Sequence, residues 1–327
     1  MNFTQQPDYS AVLLPGVAVD VAQNFAPLVR GTADPTAATN NGVSWLSFQP
    51  ASNGPVTVAI HHPRSTVNAA EIRYDIWARQ DDAAIAAVVE YMPVLLGVDE
   101  PSLAAWAAFD ELLDQTAHLL PTAVLEARRQ NPGMRLMATG QLVEELFTVV
   151  LEQKVTQRQA RASWRWLANT FGQPSPAGEP APRLAPSPEA ILKIASWQWH
   201  AGWVQPFLAR TLQTVASRAP ALHRLAHQPL DVIVRGLETL RGIGPWTIAE
   251  TLQRTHGAAD LLSVGDFHLA HHIGEALTGR RTDDAGMLEL LEPWAGHRQR
   301  LVRLIYASGM RFSRFGPRMA ATDFRDR

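Results

Sequence analysis

One segment carries the strongest structural signal in this chain, and it reads Leu237-Glu238-Thr239-Leu240-Arg241-Gly242-Ile243-Gly244-Pro245-Trp246-Thr247-Ile248-Ala249-Glu250. It predicts a helix ending at Gly242, a core contact at Ile243 and a second helix with Pro245 in its first turn, that is, a helix-hairpin-helix. The glycines permit close approach, and N–H groups at the start of the second helix suit an anion such as a DNA phosphate. The bare pattern fits equally well a tight helical turn that binds nothing.

A second signal lies downstream, in the run Ser263-Val264-Gly265-Asp266-Phe267-His268-Leu269-Ala270. Asp266 follows a glycine sixteen residues beyond Glu250 and is predicted to open another helix. An Asp in this place is, taken alone, most simply an N-cap. A catalytic interpretation therefore depends on the two segments occurring together.

The first eighty residues have the alternation of antiparallel strands. Apolar side chains recur at every second position over residues 56–60 and 72–76, which predicts two half-buried strands. The run 43–48 and the turn residues 52–55 predict a hairpin with the first of these strands. The beginning of the chain is therefore predicted to form a small antiparallel sheet.

After Gln80 the apolar spacing becomes helical, and no strand-helix rhythm of a parallel sheet follows. Residues 173–188 contain six prolines and are predicted to form a surface connection, which ends in the helix-start signal Ser187-Pro188-Glu189. The predicted fold class is α+β, with a β-rich domain over residues 1–100 and a helical domain over residues 101–327.

Composition excludes several classes of protein. The 327 residues include no cysteine, which rules out disulfides, thiolate zinc sites, iron–sulfur clusters and cysteine nucleophiles. No run of about 18 apolar residues occurs, and the first residues lack the basic-then-apolar order of a secretory signal, so a cytoplasmic location is expected.

The small net charge of -2 conceals an asymmetry along the chain. Residues 1–140 hold 7 basic and 14 acidic side chains, whereas residues 141–327 hold 22 and 17. The last thirty residues carry 8 arginines and 2 acids, which fits a surface that meets a polyanion. Arginine enrichment is also typical of a GC-rich genome, so this observation is weak by itself.

Together the hairpin and Asp266 resemble the helix-hairpin-helix DNA glycosylase superfamily, and in particular the 3-methyladenine DNA glycosylase II group. Residues 150–156 resemble the family's DNA-inserting turn, and residues 291–298 resemble its last helix. The resemblance covers most of the chain. It implies a small antiparallel β-rich N-terminal domain followed by a two-lobed, all-helical core, with double-stranded DNA crossing the cleft between the lobes.

The resemblance also implies a reaction. Members that cut the strand through a Schiff base carry a lysine where this chain has Trp246, and the only lysines here are Lys154 and Lys193. A monofunctional enzyme is therefore expected, one that removes alkylated purines of the 3-methyladenine and 7-methylguanine type with water and leaves an abasic site. Asp266 is expected to stabilise the positive charge that develops at C1′ and to orient the attacking water.

The expected base pocket comprises Trp246, Glu250, Ile305 and Tyr306. The base must be flipped out of the stack, and aromatic walls attract a base that alkylation has made cationic. Ile305 stands where the broad-range members of the family carry an aromatic residue. A wider pocket, specialised for bulky alkyl adducts, is therefore an alternative. Glu250 either bonds the base or is a solvated helix charge.

Residues expected to bind DNA lie in two turns and near the C-terminus. Gly242, Ile243, Gly244 and Thr247 belong to the hairpin, and Gln153 and Lys154 occupy the inserting turn, where either one could fill the gap left by the flipped base. Phosphate contacts are expected from the C-terminal arginines, namely Arg298, Arg300, Arg303, Arg311, Arg314 and Arg318.

No cofactor is expected to be required, although the family resemblance implies a structural sodium or potassium ion on the carbonyls of Glu238, Leu240 and Ile243. Metal catalysis by His268, His271 and His272, or by His61 and His62, is a weaker hypothesis, because no His-Glu-x-x-His pattern is present. The alternative function is a non-catalytic protein that uses the hairpin only as a phosphate clamp. The protein is expected to be a monomer without membrane association.

Overall fold

The computed structural model describes residues 6–50, 54–62 and 71–312. Within them, a five-stranded antiparallel sheet is followed by a mostly helical remainder, which confirms the predicted α+β class. The strands are β1 (Tyr9–Leu13), β2 (Ala37–Asn40), β3 (Val43–Phe48), β4 (Val56–His61) and β5 (Ile72–Trp77).

The sheet has the strand order β1-β5-β4-β3-β2. The predicted hairpin is present, with Phe48 opposite Val56. Its turn residues Ser52 and Asn53 lie outside the described residues. β1 and β2 were not predicted from the sequence, and they add one edge strand on each side of the three central strands.

The central strands are buried on both faces, which corrects the prediction of half-buried strands. Five of the six residues of β4 are buried. One face of the sheet packs on the helices at residues 21–25 and 82–95. The other face is covered by the segment 173–188 through Ala177 and Ala181. The proline-rich segment is therefore part of the packing rather than a bare surface connection, because Ser47 Oγ donates to the carbonyl of Pro182 at 2.5 Å.

The described residues contain fourteen α-helices. Those of the first half are α1 (Val21–Phe25), α2 (Asp82–Leu95), α3 (Glu100–Gln115), α4 (Thr122–Gln130), α5 (Leu142–Glu152), α6 (Gln157–Phe171) and α7 (Pro188–Leu192). They are followed by α8 (Ser196–Ala201), α9 (Pro206–Leu225), α10 (Leu230–Glu238), α11 (Pro245–Thr255), α12 (Leu269–Thr278), α13 (Asp284–Leu290) and α14 (Arg298–Ala307).

Local signals set several of these helix ends. Ser187 caps α7 as predicted, since its Oγ accepts from the N–H of Ala190 at 3.2 Å. The segment 291–298 is not the last helix, which is a correction: Glu292–Trp294 form one 3-10 turn, and α14 begins only at Arg298. Trp294 is 1% exposed and packs this turn into the core.

The three largest of the four apolar cores in the described residues organise the fold. The first joins one face of the sheet to α1 and α2. The second lies among helices α5 to α11 and defines lobe one, and the third joins α3 and α4 to α12, α13 and α14 and defines lobe two. The two lobes are the predicted ones, and the hairpin helix α11 in lobe one connects directly to α12 in lobe two.

Among the described residues, no helix is both long enough and apolar enough to span a bilayer.

Candidate functional site

The hairpin has the predicted form, apart from an earlier end to its first helix. α10 ends at Glu238, and a turn of four residues leads to Gly242. Ile243 is 6% exposed and enters the core of lobe one. Gly244 is the N-cap of α11 and Pro245 is its first residue. The first amide groups of α11 have no acceptor within the helix, so they can donate to an anion.

Glycine occupies the two hairpin positions for different structural reasons. Gly242 has a φ of +91°, and a Cβ there would lie 2.5 Å from Thr211 Oγ1. Gly244 has an extended backbone with φ of -112°, and a Cβ there would meet no atom within 4 Å. Gly242 is therefore required by the fold, whereas the space beside Gly244 is free for a ligand.

The turn after α5 lies against the hairpin. Gln153 Nε2 donates to the carbonyl of Gly242 at 2.9 Å and to Thr247 Oγ1 at 2.8 Å. Thr247 is 3% exposed, so its hydroxyl braces the turn from within. Lys154 is exposed and has a φ of +54°. The structure thus separates the two candidates for insertion: Gln153 is engaged by the hairpin, and Lys154 projects from the turn.

Asp266 stands just before α12, with both carboxylate oxygens held by N–H donors. Its Oδ1 accepts from the backbone N–H groups of His268 and Leu269 at 2.8 and 2.9 Å. Its Oδ2 accepts from Trp246 Nε1 at 3.3 Å, which brings together the two residues singled out in the sequence. Asp266 therefore accepts hydrogen bonds from backbone N–H groups at the start of α12, as a capping residue does. A capping role does not require the additional hydrogen bond from Trp246 on the hairpin helix.

Glu250 lies one turn after Trp246 on α11 and is engaged at both oxygens. Oε1 accepts from the hydroxyl of Ser263, three residues before Asp266, and Oε2 pairs with Arg254 Nη1 at 2.8 Å. Arg254 also lies 3.6 Å from Glu145 and donates to the carbonyl of Pro27. Glu250 is therefore not a solvated helix charge, and a contact between Glu250 and the base stays a prediction. It ties the loop that carries Asp266 to α11.

The two predicted pocket residues of α14 differ in exposure. Tyr306 is 47% exposed, and Ile305 is 0% exposed within the core of lobe two, so Ile305 does not line the cleft. Burial of the Tyr306 hydroxyl and the charges of Asp266 and Glu250 raise the pKa of Tyr306 to about 12. Tyr306 therefore stays protonated at neutral pH, and it lies near enough to Asp266 for the charge of that carboxylate to act on it.

An aromatic group that the sequence analysis did not assign to the pocket surrounds Tyr306. His272 Nδ1 lies 3.2 Å from the Tyr306 hydroxyl, and the His272 ring stacks on Phe312 and on His268. Burial lowers the pKa of His272. The spacing of His268 and His272, one helical turn apart after Asp266, could have indicated this aromatic group. The sequence analysis interpreted these histidines as a possible metal motif instead.

The histidines serve other contacts in this structure. His271 Nδ1 lies 2.8 Å from the carbonyl of Thr282, and His61 Nε2 pairs with Asp75 at 2.6 Å. Within residues 6–50, 54–62 and 71–312, no three His, Cys, Asp or Glu side chains are grouped to hold a metal. In the hairpin, the carbonyl of Leu240 accepts from the N–H of Ile243 at 3.1 Å. The alkali ion on this carbonyl and those of Glu238 and Ile243 stays a prediction.

The C-terminal arginines that the structure describes have different surroundings. Arg298 makes a bidentate pair with Asp260, and Arg300 is 6% exposed with its guanidinium over the Trp106 ring. Arg303 is half-buried, and Arg311 is exposed. Arg314 and Arg318 lie outside the described residues. The phosphate contacts stay predictions, and those of Arg298 and Arg300 are disfavoured because the two side chains are used inside the fold.

Comparison with known proteins identifies the fold. No protein-family model and no curated protein matches the sequence. Among solved structures, the 3-methyladenine DNA glycosylase of Archaeoglobus fulgidus is similar with a TM-score of 0.70 at 15% identity, over 92% of this chain and 98% of that one. MBOgg1 in complex with a low-affinity DNA ligand has a TM-score of 0.66 at 13% identity, over 94% and 98% of the two chains.

A third similar structure is the 8-oxoguanine glycosylase/lyase of Clostridium acetobutylicum in complex with double-stranded DNA containing cytosine opposite 8-oxoguanine. Its TM-score is 0.65 at 9% identity, over 94% of this chain and 98% of that one. The predicted helix-hairpin-helix DNA glycosylase fold is thereby confirmed over nearly the whole chain. At these identities the likeness is one of fold, and the fold includes both glycosylases and a glycosylase/lyase.

Proposed function

We propose that this protein is a monofunctional DNA glycosylase of base-excision repair that hydrolyses the N-glycosidic bond of alkylated purines in double-stranded DNA. The observation that carries the proposal is the contact between Asp266 Oδ2 and Trp246 Nε1 at 3.3 Å. It puts a carboxylate next to an aromatic side chain at the start of α11, the helix that follows the hairpin. A protein that only clamps phosphate needs neither group.

The proposed chemistry follows from the position of the carboxylate. With the lesion base flipped against Trp246 and Tyr306, the C1′–N bond breaks and its electron pair leaves with the base. The carboxylate of Asp266 stabilises the positive charge at C1′ while a water oxygen bonds to that carbon, and the water's proton passes to Asp266 or to solvent. The N–H donors of His268, Leu269 and Trp246 fix the orientation of the carboxylate.

A hydrolytic rather than a lyase reaction is supported by the placement of the lysines. Lys154 lies in the turn after α5 and Lys193 caps the end of α7, so α11 offers no amine that could form a Schiff base with C1′. Lys154 is the proposed inserting residue, since Gln153 is held by the hairpin. We further propose that the protein acts as a monomer in the cytoplasm, on the nucleoid.

The test uses duplex DNA methylated with dimethyl sulfate. Wild type is expected to release methylated purines and to leave alkali-sensitive sites, with no covalent adduct after borohydride. Asp266→Asn keeps an oxygen for the N–H groups of His268 and Leu269 but removes the charge, so we expect intact folding and DNA binding with base release lowered at least about 100-fold.

Two results would contradict the proposal. If wild type binds DNA but releases no methylated base, the phosphate clamp is favoured. If it then releases a base from duplexes with bulkier alkyl groups, a glycosylase for bulky adducts is favoured. Parallel loss of binding and of thermal stability in Asp266→Asn would show that Asp266 only caps α12.

A further inference from the structure

The N-terminal unit, formed by the sheet with α1 and α2, reaches both lobes through one short segment. This segment covers residues 20–34, and we call it the bridge segment. It contains α1, a 3-10 turn at Ala26–Leu28 and the loop that leads toward β2. Asn24 and Arg30 lie near its two ends and are both buried. Such polar side chains need partners inside the fold, and the partners of these two lie on different lobes.

The first end of the bridge segment is bonded to lobe two. Asn24 Nδ2 donates to the carbonyl of Gly133 at 2.9 Å, and Asn24 Oδ1 accepts from the N–H of Arg135 at 2.9 Å. Met134, between these two partners, belongs to the apolar core of lobe two. Because one side chain amide both donates and accepts here, it fixes this end to the backbone after α4 in two directions.

The second end of the bridge segment is bonded to lobe one. Arg30 Nη2 pairs with Glu145 and donates to Thr148 Oγ1 at 3.0 Å, and both partners lie on α5. Asp34 Oδ1 accepts from Trp164 Nε1 on α6 at 3.2 Å, and Asp34 Oδ2 accepts from the N–H of Arg30 at 2.6 Å. Helices α5 and α6 contribute to the core of lobe one, so the bridge segment joins the two lobes.

The candidate site is itself a contact between these two lobes. Trp246 begins α11, whose Ile248 is in the core of lobe one, whereas Asp266 lies between Val264 and Leu269, which pack in lobe two. The hydrogen bond from Trp246 Nε1 to Asp266 Oδ2 is 3.3 Å long, against a usual length of about 2.9 Å. A shift of one lobe by about 1 Å would therefore break it, and such a misplacement costs about 100-fold in rate.

We propose that Asn24 and Arg30 are positioning residues, which hold the two lobes at the distance at which Trp246 meets Asp266. This inference rests on the proposed function, and it gives the N-terminal unit a part in the reaction that needs no contact with DNA. Further contacts also join the lobes, such as the hydrogen bond from Gln299 to Gln253 at 2.9 Å. Loss of one end of the bridge segment should therefore loosen the arrangement of the lobes rather than separate them.

The first test measures the arrangement of the lobes without any reaction. Because the chain has no cysteine, Arg235→Cys on α10 and Glu289→Cys on α13 place one spin label on each lobe, at exposed positions. Double electron–electron resonance then gives the distribution of distances between the labels. We expect a narrow distribution in the otherwise unchanged chain and a broader one in Asn24→Ala and in Arg30→Met. The control Arg73→Met, at an exposed position of β5, should keep the narrow distribution.

The second test measures release of methylated purines by the same variants. Asn24→Ala and Arg30→Met should each lower kcat at least about tenfold while KM and duplex affinity stay unchanged. The double variant should show no further loss, because either substitution already frees one lobe from the bridge segment. If each residue only stabilised its own surroundings, the two losses would multiply.

Two further variants separate positioning from loss of folding. Arg30→Met combined with Glu145→Met leaves no carboxylate without its partner in that pair, and it should still show the broad distribution and the low kcat. Gln23 Nε2 donates to Asn131 Oδ1 at 2.7 Å, next to Asn24. Gln23→Ala is therefore a milder substitution at the same end, and it should change the distribution in the same direction. Melting temperatures are measured for all variants.

The opposite results would overturn the inference. Unchanged distance distributions in Asn24→Ala and Arg30→Met would show that the bridge segment does not hold the lobes. Recovery of kcat in Arg30→Met with Glu145→Met would assign the loss to the unpaired carboxylate, and losses that multiply in the double variant would make both residues locally structural. If the distributions broaden but wild type releases no base, the proposed reaction fails while the role of the bridge segment in holding the lobes stands.

Discussion

The role of each carboxylate in the candidate site depends on which of its oxygens already accept hydrogen bonds. Asp266 has N–H donors on both oxygens, and one of them comes from the other lobe through Trp246. Glu250 has Ser263 on one oxygen and Arg254 on the other. We therefore expect Glu250 to act on the proposed reaction through Ser263 and the loop that precedes Asp266, as a positioning residue.

This assignment predicts different results for two substitutions of Glu250. Glu250→Gln retains an oxygen for Ser263, and Glu145 remains beside Arg254, so kcat should stay within about threefold of wild type. Glu250→Leu removes the acceptor, and kcat should fall at least tenfold, about 1.4 kcal/mol, with KM unchanged. Single-turnover kinetics on methylated duplex measure both. A large loss in Glu250→Gln that affects only cationic bases would instead show that the carboxylate contacts the base.

At the scale of single elements, the hairpin shows why two neighbouring glycines are not equivalent. Gly242 has a left-handed backbone with Thr211 against it, whereas Gly244 is extended and open. The sequence predicts that a bulky charged residue at either position weakens DNA binding. The structure separates the causes, because only substitution of Gly244 leaves the packing undisturbed.

Gly244→Glu is therefore the clean test of the hairpin. We expect its free energy of unfolding to remain within about 0.5 kcal/mol of wild type, because the side chain enters open space. Its affinity for any duplex should fall at least tenfold, since a carboxylate then faces the phosphate. Gly242→Ala is the contrasting variant and should lower the melting temperature. Unchanged duplex affinity in Gly244→Glu, measured by fluorescence anisotropy, would reject the hairpin as a phosphate site.

Across the whole molecule, exposed and internally paired arginines should differ in how they affect binding to a polyanion. Arg241 is exposed in the hairpin turn, and Arg298 is paired with Asp260. In Arg241→Gln the slope of log K against log salt should decrease in magnitude by about 0.9, as for one lost phosphate contact. Arg298→Gln should leave the slope unchanged and lower the melting temperature. Equal slopes in the two variants would place Arg241 away from DNA.

The stability of the whole fold should also depend on pH through Glu144. Its Oε2 is buried without a hydrogen-bond partner in the described part of the chain, and burial raises the pKa of Glu144 to about 7. Because the folded-state pKa is raised, the stabilisation is complete below about pH 4.5 and is lost as pH rises through 7. A shift of this size corresponds to on the order of 3 kcal/mol.

Urea unfolding between pH 5 and 8 checks this expectation. Glu144→Gln should remove the decline and be more stable than wild type at pH 8. Glu289→Gln, at an exposed position on α13, should keep the wild-type profile. If the free energy of unfolding of Glu144→Gln still declines with rising pH, other groups cause the decline.

The sequence alone determined those features that are coded within a few residues. The hairpin, the strands at 43–48, 56–60 and 72–76 and the helix start at Ser187 follow from turn residues, alternation and caps, which act over a few residues of chain. The same local logic placed Asp266 before a helix. Resemblance of two short motifs was enough to predict the fold that the structural comparison confirms, at only 15% identity.

Only the tertiary structure decided what each polar side chain does. That Gln153 braces the hairpin, that Glu250 holds Ser263, that Ile305 faces the core and that Arg298 pairs with Asp260 all depend on partners far away in the chain. Likewise, the segment 173–188 covers the sheet more than a hundred residues after β4. The energy of a charge or a donor depends on what surrounds it in space, and a linear pattern does not contain that information.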